Sequence, residues 1–191
     1  AVNIRYPMEN FIGVWWSGSE NDVLPAGDKA TGYKALAFHA VNSDFPIFDD
    51  IQKFVVDRGK AAGAGDQIGT VLYNRGMYNA MLITEAARTA QAIAGKSNIS
   101  QADMIKGFEA LEMTEEKMAA LGLPGFGPSF SVSCENHGGD GMVAVAQWDA
   151  GAGKWSIVSD FQASDMSVIQ PLIDADSGAF ASENNLSPNC N

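Results

Sequence analysis

The sequence predicts an α/β chain with too few strands to complete a doubly wound sheet of its own. Short runs of β-branched and aromatic residues, at 11–16 and 34–39, alternate with helical patterns through the first hundred residues. A segment at 123–128 holding two prolines and two glycines then breaks the pattern, and the chain beyond it reads as mainly β. The resulting order, βα–β–α–βα–αα–βββ–α, mixes the two element types as α/β folds do, yet it stops short of closing a sheet.

Each element has its own reason. Residues 11–16, FIGVWW, suit a buried pleated surface and predict a strand. Residues 21–26 predict a short helix with acidic side chains in its first turn, closed by Pro25-Ala26-Gly27. A second strand is expected at 34–39, then a loop marked by Asn42, Ser43, Asp44 and Pro46. Over 47–60 the apolar side chains Ile47, Phe48, Ile51, Phe54 and Val55 recur at helical spacing, with Asp49, Asp50, Lys53 and Asp57 between them. A glycine-alanine loop at 61–67 leads to a β-prone run at 68–72, which feeds a long helix at 77–94. That helix carries only Glu85 and Arg88 as charges, so it should be packed on several sides, with its alanines permitting close approach. Ser100 and Asp103 form a capping-box-like start to a further helix, and Thr114 caps a short one. Residues 130–132 should be extended. Residues 142–148 and 154–158 should pair through a loop of hairpin length, and a last helix is expected at 164–173.

Composition narrows the function. The 191 residues are 46% hydrophobic and 18% charged, which are globular values. A formal charge of −11 with no basic run argues against nucleic acid or an anionic membrane surface as partner. No apolar stretch approaches the ~20 residues that span a bilayer. The first five residues have no charged segment followed by an apolar one, as a secretory leader would; in a piece of a longer protein that carries no meaning.

The candidate chemistry is a binding surface. Trp15 and Trp16 end the first apolar run and open at once into Ser17-Gly18-Ser19-Glu20. Indole faces could cover the apolar part or ammonium of a small ligand while Ser17 and loop amides take its polar ends. If the strand alternates, the two indoles point opposite ways and at most one faces ligand directly. Tyr73, Asn74 and Arg75 stand where a helix opens, and its amide donors could meet a carboxylate; the plainer reading is capping by Asn74 and packing of Tyr73. Cys134, Glu135, Asn136, His137 and Asp140 gather metal-binding side chains, but no second cluster completes a zinc spacing, so no metal and no cofactor are expected. Ala94-Gly95-Lys96-Ser97 lacks the opening glycine of a phosphate loop, and it follows a helix instead of a strand. There is no G-x-S-x-G elbow and no titratable pair fixed by spacing, so no catalytic residue is assigned and an enzyme is not expected. Cys134 and Cys190 would be free thiols in a reducing compartment and would pair in an oxidising one.

Four stretches carry a family resemblance: FIGVWWSGSENDVLPAGDKATGYKALAFH at 11–39, TVLYNRGMYNAMLITEAARTAQ at 70–91, SCENHGGDG at 133–141, and the hairpin from Trp148 to Trp155. In this order they resemble the C-terminal part of the type I periplasmic solute-binding proteins of ABC importers, of the branched-chain amino acid, urea and amide type. That family is roughly twice this length, by resemblance. The resemblance implies a partial type I periplasmic-binding-protein fold, with portions of two doubly wound lobes. Residues 1–38 and 130–191 would belong to the C-terminal lobe and 39–129 to the N-terminal lobe. It implies a small polar solute (amino acid, amide or urea) held between the lobes, an ABC membrane permease as partner, and the periplasm as location. The cleft residues would be Trp15, Trp16, Ser17 and Tyr73, the last at the cleft edge. Similar proteins have a cysteine near the C-terminus and another before an Asn/Asp-His step, which favours a Cys134–Cys190 disulfide. A receptor's ligand-sensing domain with the same fold is the alternative, and an amidase-related enzyme a more remote one. With much of its cover outside these residues, the isolated chain should form a homodimer.

Overall fold

The computed structural model of the chain describes residues 5–63, 65–187 and 190. Its main sheet has four strands. Strand β1 (Ile12–Gly13) runs parallel to β2 (Lys34–Ala37). Strands β5 (Ala144–Asp149) and β6 (Lys154–Ile157) continue antiparallel, with Trp148 opposite Trp155 across the expected hairpin. A separate two-stranded ribbon joins β3 (Glu112–Met113) to β4 (Phe130–Ser131).

The helices are α1 (Glu20–Val23), α2 (Pro46–Ile51), α3 (Val71–Ala94), α4 (Gln101–Glu109), α5 (Glu115–Ala120) and α6 (Met166–Glu183). Ser100 and Asp103 close the expected capping box on α4, and Thr114 caps α5 through the Lys117 N–H. The expected helix over 47–60 is shorter than its periodicity: α2 passes at Gln52 into a π-helical turn, Gln52–Val56. That turn leaves the Phe54 ring outside, with Lys53 and Arg58 set over it at 4.9 and 5.1 Å.

Two departures bear on function. The strand expected at 11–16 pairs only at Ile12 and Gly13, after which Trp15–Ser17 coil into a 3-10 turn closed by the Ser17 N–H on the Val14 carbonyl. The β-prone run at 68–72 is no strand. Thr70 caps α3 by accepting from the Tyr73 N–H, so the helix begins at Val71 and takes in Tyr73, Asn74 and Arg75.

Apolar side chains collect in two cores. The first gathers Val23, Ala35, Ala37, Ala146, Trp148 and Trp155 around the main sheet, with Val71 at the start of α3. The second holds Phe45, Phe48, Met81, Leu111, Met118, Leu123 and Phe126. Phe130 and Val132 pack on this second core, where β4 pairs with β3. Helix α3 thus reaches from one core into the other. It is not covered on every side, since Leu72, Ile83 and Ile93 are exposed. Helix α6, longer than expected, continues through Pro171 and has no buried residue.

Candidate functional site

The 3-10 turn after β1 places the tryptophan pair differently from an alternating strand. Trp15 and Trp16 lie on the same side and stack, with ring centroids 3.9 Å apart and planes inclined by 26°. Trp16 is the outer ring and is 71% exposed. The opposed placement expected from a strand does not occur, because the backbone has left the extended region by Trp15.

Ser17 is engaged locally. Its Oγ donates to the Val14 carbonyl at 3.0 Å and shares a 2.9 Å hydrogen bond with the Tyr33 hydroxyl. Gly13 makes this possible, since a Cβ there would collide with both oxygens. Beside this pair lies a depression of about 400 Å³, lined in part by Met8, Ser17, Asp22 and Tyr33.

The second core reaches the turn through Arg75. From the second turn of α3, its guanidinium lies 4.7 Å from the Trp15 ring and 5.7 Å from Phe38, and Nη2 donates to the Trp15 carbonyl at 3.0 Å. Burial holds this guanidinium below its ordinary pKa, opposed by the nearby Asp22. Trp15 and Phe38 also meet edge to face at 5.6 Å, so the guanidinium sits beside both rings while Trp16 stacks on Trp15. Arg75 was singled out in the sequence only as part of the helix opening. Its position over Trp15 depends on where α3 starts, which the β-prone run concealed.

The α3 N-terminus is already occupied. The Val71 N–H donates to both oxygens of Glu20 at 3.2 Å, while Thr70 serves the Tyr73 and Asn74 amides. The chain's own carboxylate thus stands where a ligand carboxylate could have gone, as the positive end of the helix favours. Asn74 does not cap the helix; its amide donates to the Ala40 and Asn42 carbonyls at 3.0 and 2.8 Å. Tyr73 is half-buried with its ring edge-on to Phe48 at 5.8 Å, so it packs toward the second core and not beside the tryptophans. The structure therefore brings Trp15, Trp16 and Ser17 together and sets Tyr73 apart from them.

Behind the stack, His39 is buried between Phe38, Tyr78 and Phe126, with Nδ1–H donating to the Ala40 carbonyl at 2.8 Å. Desolvation lowers its pKa to about 4, partly opposed by that hydrogen bond and reinforced by Arg75. Burial pushes the Tyr78 hydroxyl up to about 12. At neutral pH both are uncharged, and Arg75 is the cation at the junction of the two cores. Cys134 and Cys190 are joined in a disulfide. Among the described residues, one group of three metal-binding side chains converges, Glu109, Cys134 and His137.

Neither a family model nor a curated protein sequence matches the chain. Two solved structures are similar to it. One, from the Pseudomonas fluorescens group and described as an ABC transporter permease, matches all of this chain at 35% identity with a TM-score of 0.91. The other is a branched chain amino acid ABC transporter from Thermus thermophilus with bound valine, matching 81% of this chain at 20% identity with a TM-score of 0.58. The chain has a partial type I periplasmic-binding-protein fold. It spans 46% of the first structure and 39% of the second, less than half of either. Among the described residues, no helix is long and apolar enough to cross a membrane.

Proposed function

We propose that the chain is part of the solute-binding component of an ABC importer, taking an amino acid, amide, urea or similar small polar solute between two lobes. The observation that carries this is the junction at Arg75. There the turn after β1 and the helix that links the two cores meet through a cation set beside two aromatic rings, next to the open face of Trp16. Such a junction offers an apolar lid and a polar handle at the point where two lobes hinge. The ABC transporter descriptions of both similar structures support the importer context. The disulfide is in keeping with a periplasmic location. The partner in the membrane would be the importer's permease, and the work is binding and hinge closure without bond chemistry. Trp15, Trp16 and Ser17 would contribute directly to the cleft, while Tyr73, by resemblance a cleft-edge residue, packs apart from them on the second core.

Calorimetry against amino acids, amides and urea tests this reading. With the remainder of its parent polypeptide, the protein should bind one class of these solutes, and Trp15→Ala or Arg75→Met should weaken binding by about tenfold or more, the equivalent of about 1.4 kcal/mol. The 191 residues alone should bind weakly or not at all, because an unpaired polar end of a buried solute costs on the order of 1–3 kcal/mol. Binding that is indifferent to both substitutions would move the site away from this junction.

A further inference from the structure

Cys134, His137 and Glu109 bring one ligand atom each to within 4.8 Å of one another. The sequence shows the first two at positions i and i+3, beside Glu135 and Asp140, and does not point to Glu109. The fold supplies it. Glu109 is the last residue of α4, and its Oε1 lies 3.4 Å from His137 Nε2. The turn carrying the other two is held by its own hydrogen bonds. Ser133 and Asn136 exchange backbone bonds at 3.2 Å in both directions, and the Asn136 side-chain amide donates to the Gly139 carbonyl at 3.1 Å. This turn keeps the cysteine sulfur and the imidazole on the side that meets α4. A thiolate, an imidazole and a carboxylate are the ligand types zinc takes, and three protein ligands leave a fourth position for water. With the disulfide intact, however, the Cys134 sulfur is committed to Cys190 and offers no thiolate.

We propose that Cys134, His137 and Glu109 form a redox-gated site for a zinc-class divalent cation, closed while the Cys134–Cys190 disulfide stands and opened by its reduction. Opening is a two-electron step driven by a dithiol. The S–S bond breaks, each cysteine gains a hydrogen, and the dithiol leaves as its own disulfide. The cation then takes the place of the Cys134 thiol proton, which passes to solvent. One sulfur thus ties this turn either to the C-terminal tail or, through the metal, to the end of α4. Because it cannot do both, a bound cation should also slow reformation of the disulfide.

The variant Cys190→Ser leaves Cys134 as a free thiol without any reductant, and cobalt(II) is the probe. The expected result is one cobalt per chain with a thiolate-to-cobalt charge-transfer band, displaced by zinc, and no such band in the oxidised wild type. In the Cys190→Ser background, His137→Ala and Glu109→Gln should each weaken cobalt binding by about tenfold or more. Wild type reduced with a phosphine, and shown by circular dichroism to be folded, decides the matter if Cys190→Ser does not fold. A folded protein with a free Cys134 thiol that gives no charge-transfer band overturns the proposal. So does a band untouched by both ligand substitutions, or equal binding by the oxidised wild type.

Discussion

Acid should destabilise this chain through His39 by an amount that one substitution can isolate. His39 sits in the aromatic wall between the two cores, where desolvation is the largest influence on it and lowers its pKa from 6.5 to about 4. The hydrogen bond to the Ala40 carbonyl works in the other direction, and the Arg75 cation again opposes a charge on the ring. Above pH 6.5 the imidazole is neutral whether the chain is folded or not, and the full stability is present. Between pH 6.5 and about 4 the unfolded chain binds a proton that the folded chain refuses, so stability falls by about 1.4 kcal/mol per pH unit. Below pH 4 both states are protonated and the loss is complete. The 2.5-unit difference amounts to about 3 kcal/mol, a large fraction of a typical domain's stability.

Carboxylates also titrate in this range, so the wild type alone does not report His39. The control is His39→Phe. Phenylalanine keeps the ring contacts with Phe38, Tyr78 and Phe126, and the Ala40 carbonyl it abandons still accepts from Asn74 at 3.0 Å. Urea unfolding at pH 7, 6, 5 and 4 should show the wild type losing about 3 kcal/mol more than His39→Phe over the interval. Parallel loss in the two proteins, or an imidazole titrating near 6.5 by NMR, would refute the burial argument.

Three further outcomes are expected. The Cys134–Cys190 bond joins residues with a sequence separation of 56, for which the chain-entropy model gives about 4 kcal/mol, so reduction should lower the unfolding midpoint accordingly; mass spectrometry of unreduced protein should find no alkylatable thiol. Gly107→Ala should destabilise by about 1–3 kcal/mol, although alanine is the better helix former. The new methyl would run into the Ala86 carbonyl and come 2.7 Å from the Ala90 Cβ, and a packed helix backbone cannot give way as a flexible side chain could; a thermal midpoint at or above wild type would contradict the close α3–α4 approach. Finally, the isolated chain should sediment as a two-fold dimer, since Val168, Leu172 and Phe180 of α6 and Leu72 and Ile83 of α3 are exposed; a monodisperse species of 20.2 kDa would show that these faces need no cover.

Where the sequence was legible, the local signal and the tertiary demand agreed. Ser100 with Asp103, Thr114, and the apolar runs flanking the turn at 150–153 each specify an element that packing then keeps. Misreadings fall where a long-range contact decides. The run at 68–72 has the β-branched composition of a strand, yet Glu20, 51 residues earlier, holds the Val71 N–H and completes a helix start that Thr70 begins. The FIGVWW run breaks at Val14 because Ser17 and Tyr33 close a turn that a single-strand reading has no means to see. Helix α6 runs on past Ile173 with no apolar spacing to announce it, and none of its residues is buried.

One of these contacts, Glu20 to the Val71 N–H, explains why the candidate site was only half legible. Trp15, Trp16 and Ser17 are conspicuous as residue types, but Arg75 gains its role solely because Glu20 fixes the first turn of α3 against the first core. Glu20 and Arg75 then act as a pair of clamps of opposite sign. The carboxylate grips the positive end of α3, and the guanidinium, one turn further on, grips the Trp15 carbonyl and ring. One clamp links α1, the other the turn after β1, to a helix entering the second core, and both are only partly buried. Partial burial would suit a joint that moves as proposed, because a fully desolvated charge pair is strongly destabilising to break, whereas partly solvated contacts can be exchanged for water at modest cost. A rotation of α3 relative to the main sheet would therefore be felt first at the Trp15–Trp16 stack. If the chain works by lobe closure as proposed, the tryptophan pair would register that closure as well as touch what the lobes close upon.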